Sequence, residues 1–262
     1  MEFGNGSVLL EIQDAIATIT LNRPERYNAV NHELSGGLIE ALVEVKKNDA
    51  VRAVLLTGAG KGFCAGADLA VFGTISPAEA EDYICRYYGT ITRQMMDMPK
   101  PIIGAINGPV AGVGAALALA CDVRIMAESA SFRYAFINIG LGPDGGAGWF
   151  LSRMVGYSRA FEIAVEGEKI PANRCLELGL TNKVVPDAEL TTAAQAWAQK
   201  LSQRPTVAVG ITKQALHHAS THTLAETIAL EARNQITAFQ SQDHKEGVQA
   251  FLEKRHPNFK GK

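Results

Sequence analysis

The sequence predicts an α/β fold that ends in a helical region, and three observations carry that expectation. Short β-branched or wholly apolar runs alternate with segments of helical spacing as far as about residue 200. Turn signals close several of those runs, Gly58-Ala59-Gly60 after Thr57 and Asn107-Gly108-Pro109 after Ile106 among them. From Thr206 onward only helical patterning remains, through Glu253-Lys254-Arg255 near the end.

Taken in order, Ile16 to Leu21 is rich in β-branched residues and stops at Asn22-Arg23-Pro24, a strand followed by a loop. Leu34, Leu38, Ala41, Leu42 and Val45 recur at a spacing that gives a helix with one apolar face. Ala53 to Thr57 is a continuous apolar run, the pattern of a strand covered on both faces, so strand, helix and strand suggest a crossover unit. Pro77 to Met98 is expected as one helix, started by Ser76-Pro77 and stopped before Pro99. Pro101 to Ile106 reads as a buried strand and Ala111 to Ala120 as a tightly packed Gly/Ala helix. Asp122 to Ala127 and Asn182 to Val185 read as further strands. The composition shift divides the chain into a body, residues 1–200, and a helical region, residues 201–262.

Hydrophobic residues make up 47% and charged residues 20%, which places the chain among ordinary globular proteins rather than disordered or fibrous ones. The net charge of −2, with neither sign gathered into a block, speaks against nucleic acid and acidic membrane surfaces and for a small-molecule partner. Pro101 to Cys121 runs 21 residues without a charge, long enough to span a bilayer. The Asn107-Gly108-Pro109 break makes it two buried elements joined by a turn instead, and no membrane partner is expected. Glu2, and the absence of a basic residue before the first apolar stretch, argue against a secretory signal. Cys64, Cys85, Cys121 and Cys175 form no CxxC and have no metal-ligand spacing to histidine. They read as reduced, buried thiols of a cytoplasmic protein, with no metal site.

Nucleotide and hydrolase motifs fail on spacing. Gly58-x-Gly60 and Gly112-x-Gly114 meet Phe63 and Leu117 where a third glycine of GxGxxG would stand, and no GxxxxGK[ST], GxSxG or HExxH occurs. His217, His218, His222, His244 and His256 lie in the helical region, where a solvated face accounts for them, and His32 reads as a surface residue at a helix start.

Three ordered segments remain. Asn22-Arg23-Pro24-Glu25-Arg26-Tyr27-Asn28-Ala29 resembles the N-R-P-x-x-x-N-A loop of the crotonase (enoyl-CoA hydratase/isomerase) superfamily. Gly62-Phe63-Cys64-Ala65-Gly66-Ala67-Asp68-Leu69 is similar to its F-x-A-G-A-D-L/I segment, and Asn107 to Ala116 to its N-G-x-x-x-G-x-G segment. The resemblance covers nearly the whole chain. It implies a spiral of β-β-α turns, with residues 1–200 as the acyl-CoA-binding and catalytic domain and residues 201–262 as a helical region that builds homotrimers or hexamers. It also implies contacts to the adenine end of CoA from the loop holding Arg26 and Ala29, and a thioester site at Ala65, Gly66, Asp68 and Gly112. CoA then arrives as part of the substrate, and no separate cofactor is needed. Phe259 and Lys262 are implied to reach the CoA of a neighbouring subunit.

The chemistry of these motifs has a physical sense of its own. Reaction beside a thioester carbonyl develops negative charge on its oxygen, so donors must already point there, and fixed backbone N–H groups suit the task. By resemblance those donors are the N–H groups of Ala67 and Val113. Gly66 and Gly112 beside them let a ligand approach the main chain closely. Hydratases of the superfamily use two glutamates, and the matching places hold Ala116 and Phe136, neither of which transfers a proton. The Gly142-Pro143-Asp144-Gly145-Gly146 stretch resembles the ring-1,2-epoxyphenylacetyl-CoA isomerase branch, which lacks both glutamates and uses this aspartate. Turn chemistry alone would also explain Pro-Asp-Gly. Asp68 is expected to cap the next helix. Tyr134, Phe136, Trp149 and Phe150 serve equally as an acyl pocket or as core. The reading that results is an enoyl-CoA isomerase with Asp144 as proton shuttle. A hydratase with another base, a thioester hydrolase or a dehalogenase is the alternative, and the superfamily's non-catalytic RNA-binding relatives are disfavoured by charge.

Overall fold

The computed structural model describes residues 1–262. β1 (Glu2–Phe3), β2 (Val8–Gln13) and β3 (Ile16–Leu21) form an antiparallel meander, and Asp14 and Ala15 turn between β2 and β3 with positive φ. Along the chain α1 (His32–Lys47) leads to β4 (Ala53–Gly58). Next, α2 (Leu69–Phe72), α3 (Pro77–Tyr83) and α4 (Gly89–Met96) lead to β5 (Ile102–Ile106) and β6 (Val110–Ala111). α5 (Val113–Ala120) leads to β7 (Val123–Ala127) and β8 (Ser131–Arg133), and α6 (Ala147–Val155) with α7 (Tyr157–Glu166) to β9 (Lys169–Pro171). α8 (Ala172–Glu177) leads to β10 (Lys183–Val185), and α9 (Leu190–Ser202) lies against β3, β4, β5 and β7. α10 (Thr206–Ala219), α11 (Leu224–Gln240) and α12 (Gln242–Leu252) complete the chain.

One sheet runs β1-β2-β3-β4-β5-β7-β10, parallel from β3 onward, and a small second sheet runs β6-β8-β9. The strand pairs β5-β6 and β7-β8 each place one strand in each sheet, and a helix follows each pair, so the chain winds as a β-β-α spiral. The main core fills the space between the large sheet and its helices. Leu34, Leu38, Ala41, Leu42 and Val45, the predicted apolar face of α1, are all buried, and Asn31 caps that helix by accepting from the Leu34 N–H at 2.9 Å.

Three expectations need correction. Ser76-Pro77 does start a helix, through a capping box with Glu79, but Pro77 to Met98 is not one α-helix. Residues Ile84–Tyr88 form a π turn in which the Gly89 N–H reaches back to the Ile84 carbonyl. In a continuous α-helix Tyr83 and Tyr88, five residues apart, would stand about 140° apart around the axis. The wide turn lets both be buried, and apolar spacing at 3.6 residues per turn cannot reveal it. Gly112, at φ +51, separates β6 from α5 inside the segment expected as one helix. Cys64, Cys121 and Cys175 are buried and burial pushes each thiol up to about 12, whereas Cys85 on the π turn is exposed. No helix is long and apolar enough to cross a membrane.

Candidate active site

The site is built on the loop that leaves the C-terminal end of β4. Two asparagines from the recurrent motifs pin it. Asn28, itself at φ +58, donates from Nδ2 to the carbonyls of Ala59 and Gly62 and accepts the Arg23 N–H, tying the 22–29 loop to the 58–62 loop. Asn107 accepts the Gly58 N–H at 3.1 Å and donates to the Gly60 and Gly62 carbonyls. Each amide replaces backbone partners that an irregular loop cannot supply for itself.

The strand-like piece Cys64 to Ala67 then lies between two neighbours. Cys64 bridges Val110 on one side and Ala67 bridges Val30 on the other, both in parallel sense. In the second bridge Val30 donates to the Gly66 carbonyl at 2.7 Å and accepts from the Asp68 N–H at 2.9 Å. Ala67, between those two bonds, therefore turns its own N–H away from Val30. It faces the loop of Gly112, where Gly66 at φ +99 brings the two backbones so close that a Cβ on Gly66 would lie 3.0 Å from the Ala111 carbonyl oxygen. Val113 opens α5, and its N–H is one of the first-turn donors that a helix leaves unused. Neither the Ala67 nor the Val113 N–H has a hydrogen-bond partner in the chain. Two free donors thus stand on adjacent, rigidly held loops, and the positive end of α5 adds to the attraction for a developing oxyanion.

Asp144 lies on the turn before α6. A Cβ on the next residue, Gly145, would sit 3.1 Å from Val113 Cγ2 and 3.3 Å from Ala116 Cβ, so the turn rests on the first turns of α5. The Asp144 side chain accepts no hydrogen bond, and its Oδ1 is buried without a partner. Burial without compensating donors pushes its carboxyl up from 3.8 to about 6. Asp68 is unlike it. It caps α2 by accepting the Ala70 N–H and is held by Arg23 at 2.9 Å, so its carboxylate is already committed.

The remaining candidate residues separate into those near this centre and those apart from it. Ala65 is exposed, Ala67 half-buried and Ala29 buried beside the pinned loops, while Arg26 is exposed on a short 3-10 turn. Phe136 is buried with its ring 5.3 Å from that of Tyr134. Trp149 and Phe150 lie on α6, and Phe150 is buried. Phe259 and Lys262 are not brought to the donors within the chain. Arg52 Nη1 donates to the Phe259 carbonyl, and the Asp243 N–H donates to the Lys262 carbonyl. Arg52 precedes β4 whereas the donor loop follows it, so the tail sits at the opposite end of the sheet. Sequence reasoning also passed over the placement of Tyr88, a buried ring whose Cβ lies 3.4 Å from where a Cβ on Gly145 would stand, because a tyrosine in a helical segment reads as core packing.

Comparison with known proteins bears on this geometry. The family model described as enoyl-CoA hydratase/isomerase matches residues 11–262. The chain is 43% identical over 265 residues to the 1,2-epoxyphenylacetyl-CoA isomerase of Escherichia coli (strain K12), covering 100% of both. It is 42% identical to a Rhodobacter capsulatus protein named "Probable enoyl-CoA hydratase", covering 98% of each. Among solved structures, an enoyl-CoA hydratase from Bacillus anthracis superposes with a TM-score of 0.93 at 32% identity, over 98% of this chain and 100% of that one.

Proposed function

The chain belongs to the enoyl-CoA hydratase/isomerase family, and from that premise we propose that it is an isomerase that moves a double bond along an unsaturated acyl-CoA. The Ala67 and Val113 N–H groups receive the thioester oxygen. Asp144 takes a proton from C2, the charge passes to the oxygen as an enolate, and the same carboxyl returns the proton at C4. The observation that carries this reading is Asp144 itself, a carboxyl with an unpaired buried oxygen and a raised pKa, resting on the helix that begins at Val113. Ala116 and Phe136, in the places where hydratases of the family carry glutamate, leave no second carboxyl to hold a water there.

A base must be ionised, so the pH dependence follows from the direction of the shift. kcat/KM for a 3-enoyl-CoA should fall as pH drops through about 6, where the buried carboxyl takes up its proton, and not near the ordinary 3.8. A limb centred near 4 would remove Asp144 from the role. Binding can be measured apart from turnover. Calorimetry should give saturable heat with free CoA or an acyl-CoA at micromolar to millimolar Kd, about 4 to 8 kcal/mol, and none with NAD. The reverse pattern would contradict the acyl-CoA reading.

The exposed apolar side chains of α11 and α12, Leu224, Ile228, Ile236, Phe239 and Phe251, support assembly through residues 201–262 into a trimer or hexamer. In such an assembly a neighbouring copy is the one whose CoA Phe259 and Lys262 reach.

A further inference from the structure

The direction of the Ala67 N–H is fixed by the bridge to Val30, and that bridge belongs to neither sheet. It rests on two hydrogen bonds, with the Gly66 carbonyl and the Asp68 N–H. Val30 itself stands in a loop that leaves a 3-10 turn through Tyr27 and Asn28, both at positive φ. A bridge of two bonds between loops opens easily unless something else ties its sides together. One side chain does so. Arg23 donates from Nη1 to the Ala29 carbonyl at 2.5 Å, one residue before Val30, and from Nη2 to Asp68 Oδ2 at 2.9 Å, one residue after Ala67.

Arg23 is anchored in the pinned frame of the site. Its N–H donates to Asn28 Oδ1 at 2.8 Å, its carbonyl accepts the Asn28 N–H at 2.9 Å, and the Asn28 amide is bonded in turn to the Ala59 and Gly62 carbonyls. The far end of the pair is anchored as well. The other oxygen of Asp68 caps α2 through the Ala70 N–H, and the Asp68 carbonyl accepts from Val71 and Phe72. The Arg23 and Asp68 side chains are 15% and 11% exposed, so the two charges meet largely out of water. Such a pair returns little net stability after desolvation, and what it contributes is a fixed arrangement. A guanidinium suits that task, because its planar fork is always charged and aims separate N–H groups at separate acceptors.

We propose that Arg23 is a positioning residue for the oxyanion donor. By holding Ala29 and Asp68 together it keeps the Val30 bridge closed, and with it the Ala67 N–H turned toward the place of the thioester oxygen. Arg23 acts through the backbone of its neighbours rather than on the substrate. The donor has to be in place before charge develops, and a displacement of about 1 Å costs on the order of a hundredfold in rate. Sequence hides the pairing, because the two residues stand 45 positions apart in two different motifs. The inference rests on the reading of Ala67 as a donor and not on which reaction the enolate serves.

The probe is acetoacetyl-CoA, whose enolate is a stable counterpart of the charge that the donors receive and is read by its near-ultraviolet absorbance. At a pH where the wild type holds part of the bound ligand as enolate, Arg23→Lys should lower the enolate-to-keto ratio by about ten- to a hundredfold, because the positive charge stays but the fork is lost. A merely structural role would weaken the binding of both forms alike and leave the ratio where it is. Asp68→Asn keeps the cap on α2 and gives up the charged bond to Arg23, so it should lower the ratio by a smaller factor. Deleting a negative charge would by itself favour the enolate, so a fall in this variant reports geometry rather than charge. An unchanged ratio in folded Arg23→Lys, or a ratio that rises in Asp68→Asn, overturns the proposal. Ala67→Pro, measured alongside, reports on the donor reading separately. A ratio that falls there but not in Arg23→Lys would leave the donor standing and remove Arg23 from its support.

Discussion

Replacing Asp144 by asparagine should abolish double-bond migration while leaving the affinity for free CoA nearly unchanged. The amide keeps the shape of the side chain but neither accepts nor returns a proton. Loss of a positioned general base costs about a hundred- to ten-thousand-fold in rate, and here one carboxyl serves both transfers, so the upper end is expected. The same variant carries a stability signature of a carboxyl that the fold buries without a partner. The folded carboxyl titrates near 6 against an ordinary 3.8, so between those values the folded state binds more protons than the unfolded one. The contribution of Asp144 to wild-type stability therefore falls as pH rises from about 4 to 6 and stays lower above it, by about 1 to 3 kcal/mol. Asp144→Asn should be more stable than the wild type above pH 6 and indistinguishable near pH 4. Denaturant midpoints at pH 4 and pH 8 check this, and an Asn variant that is less stable at pH 8 would show that the carboxylate is supported by the fold rather than opposed by it.

The second large effect belongs to the oxyanion donors. Ala67→Pro removes one N–H and puts the ring carbon Cδ where the thioester oxygen should lie. Removing one such donor lowers turnover by about a hundredfold or more, and the blocked position adds to the loss. The fold should tolerate the change, because the Ala67 N–H serves no partner in the chain and the two bonds of Val30 use Gly66 and Asp68 instead. A variant that is folded by circular dichroism, binds free CoA and turns over at the wild-type rate would show that Ala67 is not a donor.

How far the sequence alone reaches depends on whether a signal is local. β3, α1 and β4 are legible because their apolar patterns are long enough to declare a period, and their observed bounds differ from the expected ones by a few residues at most. The short strands β6, β8 and β9 carry two or three residues each, too few for any period, so the second sheet stays hidden until the chain is folded. The π turn at Ile84–Tyr88 is invisible for a related reason, since it alters phase without altering composition. Motif resemblance points to Ala67, Val113 and Asp144, because glycines that permit close backbone approach leave a mark in sequence. It could not show why Ala67 has a free N–H, which depends on a bridge to Val30 from a distant loop. Nor could it pick out the missing partner of Asp144, which is a property of what the fold fails to place nearby.

Proton tracing on the wild type tests the central claim most directly. With a 3-enoyl-CoA turned over in deuterated water, a shielded carboxyl that removes a C2 proton can deliver it to C4 before solvent exchanges it. The 2-enoyl-CoA product should therefore contain molecules with the substrate's own proton at C4, and the folded Asp144→Asn variant should show neither that transfer nor C2 exchange. Migration by Asp144→Asn at the wild-type rate, or a wild type that hydrates 2-enoyl-CoA rapidly and does not isomerise 3-enoyl-CoA, would contradict the account.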